Sequence, residues 1–199
     1  MKRIKILLGM LFLLSSISFA TGFQFNVMDN QMPKSDEVSG LRLNLLYGKT
    51  ADVTGLDLPI LALGETNNFK GLQFGLLGAN KVNESFSGVG MGVINMHEGS
   101  SKGLIFGTVN MNNYVKGVVF GAVNMSNSVN GVQLGAVNYS TGRTLADIGF
   151  VNVSQGSTFQ MGVFNMTDDL TGVQLGLINM AKTGFFPIFP FINIDGRLF

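Results

Sequence analysis

The chain has 199 residues, a formal net charge of +1, 46% hydrophobic and 13% charged residues, 27 glycines and no cysteine. So apolar a composition excludes a disordered chain, and so much glycine argues against ordinary helices, because each glycine costs up to about 1 kcal/mol in a helix interior. Disulfides, thiolate metal sites and an acylated lipobox cysteine are excluded outright, and no basic stripe exists to neutralise nucleic-acid phosphates.

The first element, residues 1–20, reads as a secretory signal peptide. A basic start (Met1-Lys2-Arg3-Ile4-Lys5) leads into an apolar run from Ile6 to Phe19, and Ser18-Phe19-Ala20 supplies the small residues of a cleavage site. Removing Lys2, Arg3 and Lys5 leaves ten basic against twelve acidic residues, a mature net charge of −2. The roughly 179 residues that follow can form one sizeable core. No later run of 18 uninterrupted apolar residues suggests a second helical span.

Residues 21–39 do not follow the pattern of the rest and are expected to form an N-terminal cap. From residue 40 to residue 194 one short phrase recurs eleven times, and residues 40–183 are read as the repeat domain. A clear copy is Gly117-Val118-Val119-Phe120-Gly121-Ala122-Val123-Asn124-Met125. Its second glycine, or a stand-in, falls at Asn44, Pro59, Gly75, Gly92, Gly107, Gly121, Gly135, Gly149, Gly162, Gly176 and Pro190, at spacings of 13 to 17 residues. An asparagine follows three residues later at Asn95, Asn110, Asn124, Asn138, Asn152, Asn165, Asn179 and Asn193; the first three copies carry Tyr47, Ala62 and Gly78 there. Constant phrase and variable polar link are what stacked units produce.

Side chains in the phrase alternate between two faces, as a strand requires. One face carries Val118, Phe120, Ala122 and Asn124, the other Gly117, Val119, Gly121, Val123 and Met125. The middle slot of the second face accepts Arg42, Asp57, Gln73, Gly90, Ile105, Val119, Gln133, Gln160 and Gln174. A slot tolerating Arg, Asp and Gln reads as wet, so the Phe/Leu row is expected to be core and the Gly-Gln-Gly row surface.

Two folds can use such a strand. The all-β fold expected here is a parallel β-solenoid, or β-roll, of about 14 residues per coil and about 11 coils. Each side chain then stacks on its counterpart about 4.8 Å away, so an Asn column can pair its amides from coil to coil. The alternative is an up-and-down antiparallel meander that closes into an outer-membrane barrel with strands of about 9–11 residues. A meander puts successive Asn at opposite sheet ends and gives them no reason to match. Residues 184–199 read as a C-terminal repeat and cap, since Pro190, like Pro59 near the start, lacks the N–H that extends a ladder. The final Phe199 fits the aromatic ending of a barrel, although Asp195 and Arg197 break the alternation.

The run Gly40 to Gly48, the Gly-Val-Gln-Leu-Gly-x-x-Asn phrases and the ending Gly184 to Asn193 together resemble the leptospiral-type surface repeat family of bacterial exported proteins, over nearly all of the mature chain. The resemblance implies an envelope or surface location and brings no catalytic residues. The 14-residue period is also similar to the β-roll heads of trimeric adhesins, in period alone.

The chemical motifs carry little. Gly99-Ser100-Ser101-Lys102-Gly103 matches the Gly-x-Ser-x-Gly nucleophile pattern, but the single histidine, His97, precedes it and the match is expected in a link between phrases. Gly48-Lys49-Thr50 resembles the end of a phosphate loop whose first glycine would be Leu43, and Gly88 to Gly92 misses the dinucleotide spacing at Val93. His97 alone makes no zinc site and reads as a loop histidine. Asp168-Asp169 reads as a solvated turn. The acids scatter over loops, so no glycosidase pair is assigned. Asn124, Asn138, Asn152 and Asn165 head glycosylation sequons but are expected to face inward. Met96, Met111, Met125, Met166 and Met180 form a row that reads either as strand-end packing or as an adaptable binding stripe.

The sequence thus points to a non-enzymatic exported protein of the envelope or surface, with a structural or adhesive role. The alternative is a small outer-membrane barrel with a channel or lipid-handling role. No catalytic, cofactor-binding or metal-binding residue is assigned, and no cofactor is expected. The expected location is periplasm, outer membrane or cell surface, with envelope or host-surface components as partners, room for membrane association and no role for nucleic acid.

Overall fold

A computed structural model describes residues 21–198 except Asp29, Ala62 and Leu76. The expected signal peptide (residues 1–20), Ala62 and Phe199 lie outside the described residues. Among the described residues nine strands form one sheet ordered β2-β1-β3-β4-β5-β6-β7-β8-β9. They are β1 (Thr21–Val27), β2 (Asn30–Met32), β3 (Glu37–Asn44), β4 (Tyr47–Pro59), β5 (Leu63–Phe74), β6 (Ala79–Ile148), β7 (Val151–Met161), β8 (Phe164–Ala181) and β9 (Ile188–Ile194). From β1 and β3 through to β8 every pairing is parallel, and the register is the period of the phrase. Gly40 pairs Gly55, Gly55 pairs Gly71, Asn138 pairs Asn152 and Asn152 pairs Asn165. This is a parallel β-solenoid of about ten turns. It is not the antiparallel meander. The 70-residue β6 winds through several coils without leaving strand geometry.

The first glycine of each phrase explains how the coils close up. Gly117 has φ +148°, and a Cβ there would strike the carbonyl oxygen of Gly103 in the coil before. Only glycine adopts that backbone and leaves room for that carbonyl.

Three sequence expectations are corrected. First, the phrase begins one coil earlier than read. β1 runs parallel to β3 with Gln24 opposite Arg42 and Asn26 opposite Asn44, so residues 21–27 are a coil and the N-terminal cap is β2, which pairs antiparallel on β1. Second, the last copy is not a coil. β9 turns back antiparallel on β8, with Gly176 opposite Phe191 and Asn179 opposite Phe189. Both ends are therefore closed by a reversed strand, and Pro190 within β9 removes a donor from the outer edge.

Third, and most consequential, the two faces are inverted from Val118 to Ala122, while Asn124 faces inward as expected. The slot that takes Arg42, Asp57, Gln73, Gln133, Gln160 and Gln174 is buried, while Phe120 is 53% exposed. Chain-local reasoning assigned the polar slot to water. Stacking overrides it, because each of these side chains finds a partner in the same slot one coil away. Apolar packing fills part of the interior too. Val38, Val53, Phe69 and Phe86 follow each other in register along one corner, the two rings stacked at 5.6 Å, and Val115 and Val129 belong to the same cluster.

Candidate interaction surface

The interior is assembled from hydrogen-bonded columns. In the Asn column Nδ2 of each residue donates to Oδ1 of the next, at 2.7–2.8 Å from Asn80 through Asn95, Asn110, Asn124, Asn138, Asn152 and Asn165 to Asn179. The second Nδ2 proton goes to a backbone carbonyl in the next coil, such as Phe106, Phe120 or Leu134. The second glycine of the phrase borders this column. A Cβ on Gly121 would meet the carboxamides of Asn110 and Asn124. Asn80, not Gly78, opens the column, since the fourth coil carries a longer bend, and Asn193 leaves it to donate to Gln174 Oε1 and the Phe186 carbonyl.

The Gln slot forms a second column. Gln24 joins Thr50 and Asn26; Arg42 grips Asp57 through Nε and Nη2 at 2.7 Å each, and Gln73 Nε2 adds a third donor to Asp57. Asp147, in the same slot, accepts from Gln133, Thr144 and Gln160, and Gln174 donates to Gln160. Burial pushes the Asp147 carboxyl above the usual range, against the pull of those three donors. The acids therefore do not all lie on loops: Asp57 and Asp147 are interior.

His97 is likewise interior, not in a loop. It stacks on Phe86 with ring centroids 4.4 Å apart, and its Nδ1 lies 2.9 Å from Ser101 Oγ. The structure thus brings together the histidine and the central serine of the Gly-x-Ser-x-Gly match. Both are buried within β6, His97 2% and Ser101 4% exposed. Burial pushes the imidazole down to about 3, so it is neutral at physiological pH. Among the described residues no group of three or more His, Cys, Asp or Glu is arranged to hold a metal. The sequon residues Asn124, Asn138, Asn152 and Asn165 are all buried in the column.

With polar groups paired inside, the outside carries the apolar residues. Among the described residues the outward side chains at the second, fourth, sixth and seventh positions of the phrases bear no charge, from Phe23 and Phe25 through Leu72 and Phe74 to Leu177 and Ile178. Phe150 is 67% exposed. From Met96 onward the ninth position joins them, and the Met row faces out: Met111, Met125 and Met166 are exposed. Charged side chains gather in the links. Lys49 and Lys81 flank Glu65, Lys81 reaches Glu98, Arg143 meets Asp169, and Lys182 meets Asp168. Asn83, Lys49 and Tyr47 hold the Glu65 carboxyl below its usual range. The cross-section therefore has a paired polar interior, a wide apolar belt over the phrases and a charged strip over the links. Past the last coil, Phe185, Phe186, Ile188, Phe189, Phe191 and Ile192 extend the belt.

Fold and surface together define a class: an amphipathic β-solenoid with a hydrogen-bonded interior. No protein-family model, curated protein or solved structure matches the chain.

Sequence reasoning missed the belt because it weighed each face by residue type alone. Arg42 and Asp57 held the corrective signal. Opposite charges one period apart in the same slot are what stacking neighbours require.

Proposed function

We propose that this chain is an exported, non-enzymatic protein of the bacterial envelope that lies lengthwise on a lipid surface through its apolar belt. The charged strip faces water and is the side available to envelope or host-surface partners. The observation that carries this reading is the unbroken absence of charge at the outward phrase positions along the whole rod. Exposed apolar patches beyond a few hundred Å² mark interaction sites. The belt turns around a convex edge, from the Phe120 row past Val123 to the Met125 row. A fluid hydrocarbon layer can cover such a curve, whereas a rigid second copy covers one flat face. The backbone suits lipid as well, since each coil satisfies its neighbour's polar groups and reversed strands close both ends. The arrangement is the β counterpart of an interfacial amphipathic helix. Resemblance to an exported surface repeat family and the signal peptide support an envelope location.

Flotation of the mature chain with phosphatidylcholine vesicles tests this reading. Binding is expected to survive high salt, because it rests on apolar burial worth about 1.5–3 kcal/mol per large side chain. Phe120→Lys with Phe150→Lys is expected to release the protein while leaving its circular dichroism unchanged. A wild-type chain that stays at the bottom of the gradient would overturn the reading.

A further inference from the structure

The belt contains a continuous axial trough. Its floor is the backbone of the second glycines, whose missing side chains would point inward at the Asn column. One wall is the fourth-position row, with Phe106, Phe120 and Ile148; the other is the sixth-position row, with Ala122, Ala136 and Phe150. Two hollows of about 690 and 590 Å³ lie along it and join at Phe120 and Gly121. From Gly75 to Gly162 the floor rises six coils, about 29 Å at 4.8 Å per coil. Beyond Gly176 the register places Phe191 where the next floor glycine would stand, and its exposed ring ends the trough.

The chemistry of the trough narrows its occupant. Its lining carries no charge, and the carbonyls of Phe106 and Phe120 beside the floor already accept an Asn amide. The walls are two residues apart on one strand, about 7 Å between backbone positions, a width that admits one unbranched chain. A neighbouring trough behind Met111, Met125 and Tyr139 lacks this character, because Glu98, Asn113 and Asn127 form its other side.

The geometry points to the glycine-floored trough as a seat for one extended acyl chain of a membrane lipid, lying parallel to the solenoid axis. This deepens the lipid-docking reading and rests on it. The test uses phosphatidylcholine vesicles doped with a phosphatidylcholine that carries a photoactivatable diazirine along one acyl chain. The mature chain is floated, irradiated and mapped by peptide mass spectrometry. Labels are expected on the walls around Phe120, Ala136 and Phe150, in excess over Met111 and Met125. Ala136→Phe fills the trough from its exposed side, and Ala122→Phe does so one coil away. Each is expected to retain flotation and lose the trough labels. Equal labelling of both troughs, or labels that persist in both filled variants, would overturn the acyl-chain seat and leave lipid docking standing. Failure of the wild-type chain to float would overturn both.

Discussion

Arg42 and Asp57 form a two-pronged ion pair at 2.7 Å, fully buried and one coil apart in the slot that later coils fill with glutamine. Asp57 also accepts from Asn44 and Gln73, and Arg42 donates to the Glu65 carbonyl. Removing one partner strands the other charge in the interior. Asp57→Asn is expected to destabilise the fold by about 3–5 kcal/mol in urea unfolding. The double variant Arg42→Gln with Asp57→Gln restores the slot to the pattern of Gln160 and Gln174 and should recover most of that loss. If the two single substitutions simply add, the pair is not coupled as described.

Identical residue types give opposite outcomes according to their column. Asn124→Ala leaves one Asn110 Nδ2 proton and Asn138 Oδ1 without partners and frees the Leu134 carbonyl. At about 1–3 kcal/mol for each stranded buried group, the expected loss is several kcal/mol. Asn112 is also buried, yet neither its Nδ2 nor its Oδ1 has a partner. The Gln slot around it holds Ile105 and Val119, where Gln133 bonds both Ser126 and Ser140 two coils further on. Asn112→Val is therefore expected to be neutral or stabilising. Urea midpoints measured side by side decide both cases.

Gly117 tests the coil contact. Its φ of +148° and its seat against the Gly103 carbonyl leave no space for a methyl group. Gly117→Ala is expected to lower the melting temperature markedly, because both strain and collision oppose it. Ala136→Gly changes an exposed outward position and serves as the control, expected to cost little. Equal shifts for the two would show that coil closure does not depend on the glycine.

The architecture was legible wherever the sequence repeats itself. The recurrence of Asn from Asn95 to Asn179 announced stacking, and stacking fixed the parallel register and the ladder. What could not be read from single residues was which face turned inward. Gln133 is polar and Phe120 is apolar, and judged one strand at a time they belong outside and inside respectively. A polar neighbour in the same slot reverses that assignment: Asp147, one coil on, accepts from Gln133 Nε2 at 2.9 Å, and groups so paired are satisfied in the interior. Once the polar slots are filled inward, a two-faced strand must send Phe120 and its row outward. The coil at Gly22 escaped notice because its link to Gly40 is longer than later ones and contains β2. The reversal of β9 was hidden because Asn193 keeps its place in the phrase while the chain direction changes.

His97 makes the fold sensitive to acid. Its imidazole titrates near 6.5 when unfolded and at about 3 when folded, because burial against Phe86 withholds water from the charged form. Between those values the unfolded chain binds a proton that the folded chain does not. Stability from this residue is therefore complete above about pH 6.5. It falls as pH drops, by about 1.4 kcal/mol for each unit, until the folded value is reached. Asp147 acts differently. Its folded pKa is raised, so its contribution is complete below the unfolded value and declines as pH climbs through the folded one. The two contributions therefore run in opposite directions as pH falls, and removing the His97 ring separates them. His97→Asn keeps a polar group near Ser101 without an ionisable ring, and it is expected to flatten the unfolding free energy between pH 6.5 and 4. Wild-type and His97→Asn chains with the same slope in that window, measured by urea unfolding at half-unit steps, would place the imidazole in contact with water and contradict the sealed interior on which the outward apolar belt depends.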